Sequence, residues 1–447
     1  MQRATERLAW VVVMQRAAKH DSPPHYLTPL TTMQRRHFLQ SSALASTLLL
    51  VPRFLRALDR PEARLAARLR DAPGGEPRRL IVVQLGGGND GLNTLVPFRN
   101  DLYFQARPTL ALRSTDGLLP LSDELALHPA MKGLKDLFDQ GQVAIANAVG
   151  YPNPDRSHFR AMDIWQTGSG AERTLSTGWL GRYLDSTCAA PGRPAAPAYQ
   201  ALELDDTLSL ALKGARRTGL ALRDPAKLHQ LTQSRYLSRL SQESAAAPAV
   251  SEVDYLYKTL ADAASSAEYL YEKTKAHPLG AGTYPQSAFG KSLKTTAELI
   301  TSGVESRVYY LALSGFDTHV GQLGRQAQLL GELSAGLSAL AADLRQAGEW
   351  VNTLVLVFSE FGRRVGQNAS NGTDHGTANN VLLLSGGLRR AGLLNQPASL
   401  ALADLDQGDL RYQLDFRSLY ASVLADWLGA DDQLVLGPGV EKLVGLV

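Results

Sequence analysis

Five short apolar runs rich in β-branched residues recur along the chain, separated by stretches long enough for helices. They are Arg79–Leu85, Val143–Val149, Val308–Leu313, Thr353–Phe358 and Val381–Leu384. Continuous apolar strands of this kind are typical of a parallel sheet that is covered on both faces. Helical apolar spacing over Pro129–Gln140 and Gly321–Ala347 predicts two of the covering helices. The sequence therefore predicts a doubly wound, mostly parallel α/β fold.

One long segment interrupts this alternation of strands and helices. Residues 189–300 open with a stretch rich in Pro and Ala and continue with helical spacing and few strand signals. We predict that they form a mainly helical insertion in a single α/β domain that spans residues 58–447.

The composition is that of a globular protein and excludes several classes of function. Hydrophobic residues make up 44% of the 447 residues and charged residues 20%, which excludes a disordered or fibrous chain. Cys188 is the only cysteine, so an internal disulfide framework and a multi-cysteine metal site are excluded. The whole chain has a net charge of +3, but residues 1–57 hold eight Lys and Arg against two Asp and Glu, so the rest, with 38 Lys and Arg against 41 Asp and Glu, has a net charge of −3. This balance disfavours a nucleic-acid partner.

The first 57 residues contain a pattern that resembles a twin-arginine export signal. Arg35 and Arg36 are followed by Phe-Leu and then by the uncharged run Ser41–Val51. That run is too short to cross a bilayer, which needs about 20 apolar residues. No second apolar segment of spanning length follows in the sequence. An ordinary N-terminal helix with a surface arginine pair is the alternative interpretation.

We therefore predict a signal peptide over residues 33–57 that begins at Met33, with cleavage near Ala57. Residues 1–32 are interpreted as a mis-assigned extension. The predicted partner during export is the twin-arginine translocase, which carries folded proteins. The predicted location is the periplasm or the extracellular space, and no membrane span is expected in the mature protein.

The segment Gly86–Gly91 matches the dinucleotide-binding pattern G-x-G-x-x-G directly after the first predicted strand. That pattern also needs a helix at its last glycine and, after a second strand, an acidic residue about 20 residues further on. Pro97 obstructs such a helix near its start, and no second strand follows at that distance. We therefore disfavour a nicotinamide or flavin cofactor. The glycines are expected to turn the backbone so that Asp90 points back over the strand end.

Polar residues cluster in the loops that adjoin the predicted strands. The clusters are Asp90, Asp155–His158, Gly315–His319, Ser359–Arg363 and Gly372–Gly376. In open parallel sheets, ligands bind outside the carboxyl ends of the strands. Carboxylates mixed with imidazoles are ligands for Zn²⁺, Mn²⁺ or similar divalent ions, and two adjacent metals suit phosphoryl or sulfuryl displacement. The sequence thus predicts a site for one or two divalent metal ions.

These motifs together resemble the twin-arginine-exported family known as domain of unknown function 1501. The resemblance runs from about Arg35 to the C-terminus and includes GGGNDGLNTLVP, SHFRAMDIWQTG, GFDTHVGQ, SEFGRRVGQN and GTDHGTANN. The core of that family is similar to the alkaline phosphatase/sulfatase superfamily. The resemblance implies an alkaline-phosphatase-like sheet with two divalent metals at the strand ends. It also implies a phosphate or sulfate ester as substrate, either a small molecule or a polymer.

The resemblance further implies which residues bind the metals. Asp90 matches the first metal-binding aspartate of the superfamily. Asp317 and His319 resemble its Asp…His pair, although their spacing is shorter. Glu360 stands in place of an aspartate, and His375 matches the final histidine, which precedes the last core strand.

One residue departs from the pattern that the resemblance implies. Phe361 stands where the superfamily has a histidine, which removes a nitrogen ligand from the second metal. That second site is then weaker, filled by water, or completed by Asp374 or His158. Catalysis is less firmly implied than metal binding for this reason.

Ser157 matches the nucleophile of the superfamily and opens a predicted helix. Amide groups and the helix dipole at that position favour an anion and a lowered hydroxyl pKa. A helix cap is the alternative role for this serine. Arg156 and Arg363 are predicted to hold a phosphate or sulfate group.

Two functions of different class follow from the sequence. The first is an exported, metal-dependent hydrolase of phosphate or sulfate esters. The second is a non-catalytic secreted protein that keeps the fold and binds a metal, a carbohydrate or another partner. Phe361 favours the second function, and the carboxylate and histidine set favours the first. A serine hydrolase with a nucleophile elbow is disfavoured because no G-x-S-x-G occurs.

Overall fold

The computed structural model describes residues 78–187, 198–233, 252–275 and 282–447, with the backbone alone over 252–262. The predicted signal peptide, its arginine pair and Cys188 lie outside the described residues. Within the described ranges, no helix combines the length and the apolar character that a membrane crossing requires.

The described part of the chain is built around a main sheet of nine strands. In chain order the strands are β1 Arg79–Gly86, β2 Leu95–Val96, β3 Leu119–Pro120, β4 Ala126–Leu127, β5 Val143–Gly150, β6 Ala201–Glu203, β7 Leu220–Ala221, β8 Val308–Ser314, β9 Thr353–Ser359, β10 Asn379–Leu384, β11 Gly392–Leu393 and β12 Leu414–Asp415. The order in the main sheet is β11-β5-β10-β9-β1-β8-β6-β7, with β12 beside β5, and β2, β4 and β3 form a small separate sheet. In the main sheet β10 is antiparallel to its neighbours, and the other pairings are parallel.

Helices cover both faces of the main sheet. In chain order they are α1 Gly91–Thr94, α2 Asp101–Ala106, α3 Lys132–Asp139, α4 His158–Thr167, α5 Trp179–Thr187, α6 Pro225–Thr232, α7 Glu252–Thr274, α8 Ala288–Thr301, α9 Gln322–Gln346, α10 Phe416–Ser422 and α11 Asp432–Leu436. A π-helical turn, Val423–Trp427, continues α10. The two helices predicted from apolar spacing correspond to α3, which a short 3₁₀ turn precedes, and to α9.

The side chains of β1 divide between two buried cores because successive residues of a strand point to opposite faces. Ile81 and Val83 belong to the core that α3, α8 and α9 cover. Leu80 and Val82 belong to the core that α4, α5 and α10 cover. This two-sided burial explains the continuous apolar runs in the sequence. The predicted doubly wound, mostly parallel sheet is confirmed.

The segment over residues 189–300 is mainly helical where the structure describes it. It contributes α6, α7 and most of α8. It also supplies β6 and β7, which extend the main sheet beyond β8 and were not predicted. These strands have three and two residues, which is too short to give a periodic signal in the sequence.

The glycine-rich loop after β1 leads into a helix of only four residues, α1, which ends at Thr94. β2 follows at once and pairs with β4 in the small sheet. This loop therefore lacks the long helix that a dinucleotide-binding pattern requires, in agreement with the position of Pro97.

Candidate metal centre

Loops at one edge of the main sheet bring six predicted site residues together. His158 begins α4, two residues follow β8, one follows β9, and two precede β10. Because β10 is antiparallel to β9, its start lies at the same edge as the ends of the parallel strands. The six residues are His158, Asp317, His319, Glu360, Asp374 and His375.

Asp317 is the central acceptor of this cluster. Its Oδ1 atom lies 3.1 Å from Nε2 of His319, 3.1 Å from Nε2 of His375 and 3.5 Å from Nε2 of His158. The Nε2 atoms of His319 and His375 are 3.0 Å apart. His158, Asp317 and His375 alone offer three ligand atoms that all lie within 4.8 Å of one another. Three imidazole nitrogens thus lie within 3.5 Å of one carboxylate oxygen.

The other ring nitrogen of each histidine, Nδ1, is bonded to an acceptor other than Asp317. Nδ1 of His158 lies 2.9 Å from Oε1 of Glu360, and Nδ1 of His319 lies 3.1 Å from Oδ1 of Asp374. Nδ1 of His375 lies 2.9 Å from the Arg156 carbonyl oxygen. Carboxylates and carbonyls only accept hydrogen bonds, so each Nδ1 carries the hydrogen and each neutral ring presents a bare Nε2. Metal-bound histidines have this arrangement.

This donor set fits a divalent cation. Bare nitrogens that face one another and a carboxylate oxygen repel unless a positive charge lies among them. Nε2 of His158 is buried and has no hydrogen-bond partner in the described residues, although it points at Asp317. Imidazole nitrogen with one carboxylate is a common ligand set for Zn²⁺ and related ions.

Glu360 holds His158 from inside the protein. Its side chain is fully buried, and Oε1 also accepts a hydrogen bond from the Gly87 amide at 2.7 Å. The hydrogen bond that Glu360 accepts from His158 raises the pKa of the His158 imidazole. Gly87 has φ of +115°, and a Cβ atom there would lie 2.5 Å from the Asp317 amide nitrogen. The glycine-rich loop therefore allows the end of β1 to approach the cluster closely.

Arg363 holds Asp317 in place. The buried guanidinium donates to Oδ1 of Asp317 at 2.7 Å, and also to the carbonyl oxygens of Gly88 at 2.7 Å and Thr373 at 2.9 Å. Burial raises the pKa of Asp317, but the hydrogen bond from Arg363 and its positive charge outweigh this effect, and the pKa is lowered to about 2. Asp317 is therefore an anion at neutral pH. All three nitrogens of Arg363 have acceptors within the protein, so the structure shows it as a support for Asp317.

Asp90 is not brought into the cluster. It caps α1 through the amides of Leu92 and Asn93, and its other oxygen forms an ion pair of 2.6 Å with Arg107. Both side chains are fully buried, and Gln322 also donates to this carboxylate. A buried carboxylate with an arginine partner is already neutralised. Both oxygens of Asp90 are thus engaged by groups of the protein itself.

Ser157 immediately precedes His158, at the N-terminus of α4. It is exposed, and its hydroxyl group makes no capping hydrogen bond to the helix. Instead, Oδ1 of Asp155 accepts from the Ser157 amide at 2.7 Å. The Ser157 side chain therefore does not cap α4.

The Phe361 ring packs against two histidines of the cluster. Its ring centroid lies 4.8 Å from that of His158 and 4.9 Å from that of His375, and the side chain is buried. The position at which the superfamily resemblance implies a histidine therefore provides an apolar contact for His158 and His375.

An open cavity of about 410 Å³ adjoins the cluster. It is lined by Arg156, His319, Arg364, Asp374, His375 and Gln407. His319, which follows β8, and His375, which precedes β10, thus face a space large enough for a substrate group. Arg156 and Arg364 line the same space.

A protein-family model described as "Protein of unknown function (DUF1501)" matches residues 77–427. The chain belongs to this family. The match covers the main sheet and all the loops of the cluster, and over these residues it confirms the resemblance to this family found in the sequence. No curated protein matches this DUF1501 chain.

Three solved structures show remote similarity to this DUF1501 protein. The C-terminal periplasmic domain of EcEptC from Escherichia coli, in complex with Zn, is 11% identical, with 83% of this chain and 89% of that chain covered and a TM-score of 0.38. The PsFucS1 sulfatase from Pseudoalteromonas sp. is 12% identical, with 86% and 75% covered and a TM-score of 0.38. The phosphonate monoester hydrolase SpPMH from Silicibacter pomeroyi is 10% identical, with 83% and 78% covered and a TM-score of 0.35. Similarity this low supports no inference about the activity of this chain.

Two residues near the cluster were missed in the sequence analysis. Arg364 lines the cavity, and Asp409 pairs with both Arg156 and Arg364. Arg364 lies within the SEFGRRVGQN segment, directly after the arginine that was predicted. Asp409 lies in a polar loop with no strand signal before it, so no pattern pointed to it.

Proposed function

We propose that this DUF1501 protein is an exported, metal-dependent hydrolase of phosphate or sulfate esters. The observation that carries the proposal is the convergence of three bare imidazole nitrogens and the Asp317 carboxylate beside an open cavity. His158, Asp317, His319 and His375 would hold one divalent ion. When bound, such an ion would supply Lewis-acid polarisation of a phosphoryl or sulfuryl oxygen.

The other residues of the cluster orient these ligands. Glu360 and Asp374 accept hydrogen bonds from two of the rings and keep the Nε2 atoms bare. Arg363 keeps Asp317 ionised and fixes its direction. Arg156 lines the cavity and is placed to bind the anionic group of the substrate. Ligand orientation of this kind reduces the reorganisation needed when substrate binds.

Ser157 is the proposed nucleophile. Its exposed hydroxyl group is free of capping bonds and lies at the N-terminus of α4, where amide groups and the helix dipole favour negative charge. Attack by Oγ on phosphorus or sulfur forms a serine ester as the bond to the leaving alcohol breaks, and the hydroxyl proton passes to that alcohol. Water then cleaves the serine ester, releases phosphate or sulfate and restores the hydroxyl group.

Export completes the proposal. The arginine pair at Arg35 and Arg36 and the uncharged run after it support a twin-arginine signal and a periplasmic or extracellular location. Export of a folded chain would allow the metal to be acquired before translocation.

Metal content and turnover of the purified protein test the proposal together. Elemental analysis should show a divalent ion, and the loaded protein should cleave an activated aryl phosphate or aryl sulfate. His375→Ala should lose the ion and most of the turnover. His229→Ala is the matched control, because His229 pairs with Glu268 at 3.0 Å outside the cluster.

The outcomes separate the two functions inferred from the sequence. A loaded wild type that cleaves no ester supports the non-catalytic metal-binding protein and contradicts the hydrolase. A wild type that binds no divalent ion under any loading condition contradicts the hydrolase and leaves only a protein that binds a carbohydrate or another partner.

A further inference from the structure

A buried carboxylate, Asp409, pairs with two arginines beside the metal cluster. Its Oδ2 atom accepts hydrogen bonds from Nε and Nη2 of Arg156, the former at 2.9 Å, and Oδ1 accepts from Nε of Arg364 at 3.1 Å. The Asp409 side chain is fully buried, whereas those of Arg156 and Arg364 are 38% and 43% exposed. Asp409 therefore fixes the inner side of both guanidinium groups and leaves their outer sides to solvent.

The turn that carries Asp409 also holds Arg364. Asp406 and Asp409 exchange two backbone hydrogen bonds of 2.9 and 3.0 Å, and between them Gln407 has φ of +53°. A residue other than glycine in this left-handed region is uncommon, and such positions concentrate at binding sites. The Gln407 carbonyl oxygen accepts from Nη2 of Arg364 at 2.8 Å. Two of the three Arg364 nitrogens are thus fixed by this one turn.

Both arginines line the cavity into which two of the proposed ligand histidines open. Among the described residues, no hydrogen bond engages Nη1 of Arg156 or of Arg364. The backbone ties both arginines to the cluster, because the Arg156 carbonyl oxygen accepts from His375 and the Arg364 amide donates to the Asp374 carbonyl oxygen at 3.0 Å. The two free Nη1 groups on fixed arginines form a site for an oxyanion.

The charges around this cavity decide which anion it suits. The cavity and the adjoining cluster contain more carboxylates than arginines. The four carboxylates are Asp317, Glu360, Asp374 and Asp409, and the three arginines are Arg156, Arg363 and Arg364. With neutral histidines this leaves one negative charge, which a divalent ion converts to one positive charge. Attraction to the site grows in proportion to the charge of an anion, whereas its desolvation cost grows with the square of that charge. A singly charged group therefore fits better than a doubly charged one.

We propose that Arg156, Arg364 and the positioning residue Asp409 form a subsite for a singly charged tetrahedral ester group. Sulfate monoesters and phosphate diesters share this chemistry, whereas phosphate monoesters carry up to two charges at neutral pH because their second pKa is about 6. The inference rests on the proposed function, since it names the substrate class of the same site.

Binding of small anions tests the subsite without requiring turnover. Calorimetric titrations use the full protein supplemented with Zn²⁺, at constant ionic strength and about pH 8, where a phosphate monoester is fully ionised. Methyl sulfate and dimethyl phosphate, both singly charged, should bind more tightly than methyl phosphate. The tighter of the two identifies the sulfate or the diester as the preferred source of the group.

Variants separate the arginines from general charge effects. Arg364→Gln should weaken methyl sulfate binding at least about tenfold, because it removes a charged donor. Arg223→Gln is the matched control, because Arg223 is an exposed arginine that pairs with Asp205 and Asp206 outside the cavity. Asp374→Asn removes one exposed negative charge from the cavity wall and should raise the affinity for methyl phosphate relative to methyl sulfate.

Each outcome has a defined consequence. Unchanged methyl sulfate binding in Arg364→Gln, or no binding of any of the three anions to the wild type, overturns the subsite. Tighter binding of methyl phosphate than of methyl sulfate to the wild type overturns the assignment to singly charged esters. The expected binding pattern without turnover of any ester removes the proposed hydrolase and leaves the subsite intact.

Discussion

The Nε2 atoms of His319 and His375 lie 3.0 Å apart, and each also lies 3.1 Å from Oδ1 of Asp317. Nδ1 of each ring already donates its hydrogen to another acceptor, so neither neutral ring can donate to the other. Lone pairs at this distance repel unless a cation lies among them. Binding of a divalent ion should therefore remove a repulsion that is present in the folded protein without metal.

Chelation should lower the melting temperature of the metal-loaded wild type. An ion bound only by the folded state stabilises it, by about 2.7 kcal/mol at a free concentration one hundred times its Kd. The double variant Asp317→Asn with His375→Ala should melt at the same temperature with and without chelator. Differential scanning calorimetry measures both, and a loaded wild type indifferent to chelator would contradict the metal centre.

Glu360→Gln should weaken metal binding while leaving every proposed ligand in place. The buried carboxylate accepts from Nδ1 of His158 at 2.9 Å, and loss of such a supporting carboxylate typically costs about 10–100-fold in metal affinity. Competition with a chromophoric chelator measures the Kd. Glu349→Gln is the control, since Glu349 pairs with Arg79 at 2.5 Å outside the cluster. Equal affinity in wild type and Glu360→Gln would show that Glu360 does not support His158.

Much of the cluster could be predicted because it follows from the strand pattern. Apolar runs identified β1, β5, β8, β9 and β10, and the rule that ligands lie beyond the carboxyl ends of parallel strands placed His158, Asp317, Glu360 and His375 near one another. β10 runs against its neighbours, and its preceding loop therefore reaches the same edge. Spacing alone could not show which carboxylates face the point of convergence and which support a histidine.

The positions of Asp90 and Asp409 could not be predicted, because each is fixed by pairing with side chains that are distant in the sequence. Asp90 was expected at the metal, but Arg107 and Gln322, 17 and 232 positions away, occupy its carboxylate. Asp409 pairs with Arg364 across 45 positions and with Arg156 across 253. No periodic pattern records such pairs, because each depends on how two loops meet in space.

Replacement of Arg35 and Arg36 by Lys should keep the protein in the cytoplasm. The export receptor recognises the arginine pair itself. Substitution by lysine keeps the positive charge but should abolish export without altering the folded domain. Fractionation followed by immunoblotting measures the distribution between compartments. Arg3→Lys with Arg7→Lys is the matched control, because these arginines precede the predicted start at Met33. Normal export of the Arg35/Arg36 variant would refute the signal.

His128 should make stability depend on pH in the acid range. Burial lowers the pKa of its imidazole from 6.5 to about 4, and Nδ1 accepts a hydrogen bond from the Ala130 amide at 3.1 Å. Between these two values the unfolded state binds more protons than the folded state, so stability falls as the pH drops from 6.5 towards about 4. The loss from this one residue is on the order of 3 kcal/mol.

His128→Asn should flatten that dependence, because asparagine keeps an acceptor for the Ala130 amide and does not titrate. Urea unfolding of wild type and variant at several pH values across the window measures the difference between their free energies of unfolding. Parallel curves for the two proteins would show that His128 is not responsible.

Ser157→Ala should remove most of the turnover of an aryl phosphate or aryl sulfate while metal content and melting temperature stay nearly unchanged. Loss of a nucleophile removes the covalent route, and the hydroxyl group makes no capping bond whose loss would destabilise α4. Ser287→Ala is the matched control, since the Ser287 hydroxyl does cap α8 through the Gly290 amide at 3.0 Å. That variant should lose roughly 0.5–2 kcal/mol of stability and keep its activity. If Ser157→Ala instead behaves like Ser287→Ala, with stability lost and activity kept, Ser157 is a structural residue and another group supplies the nucleophile.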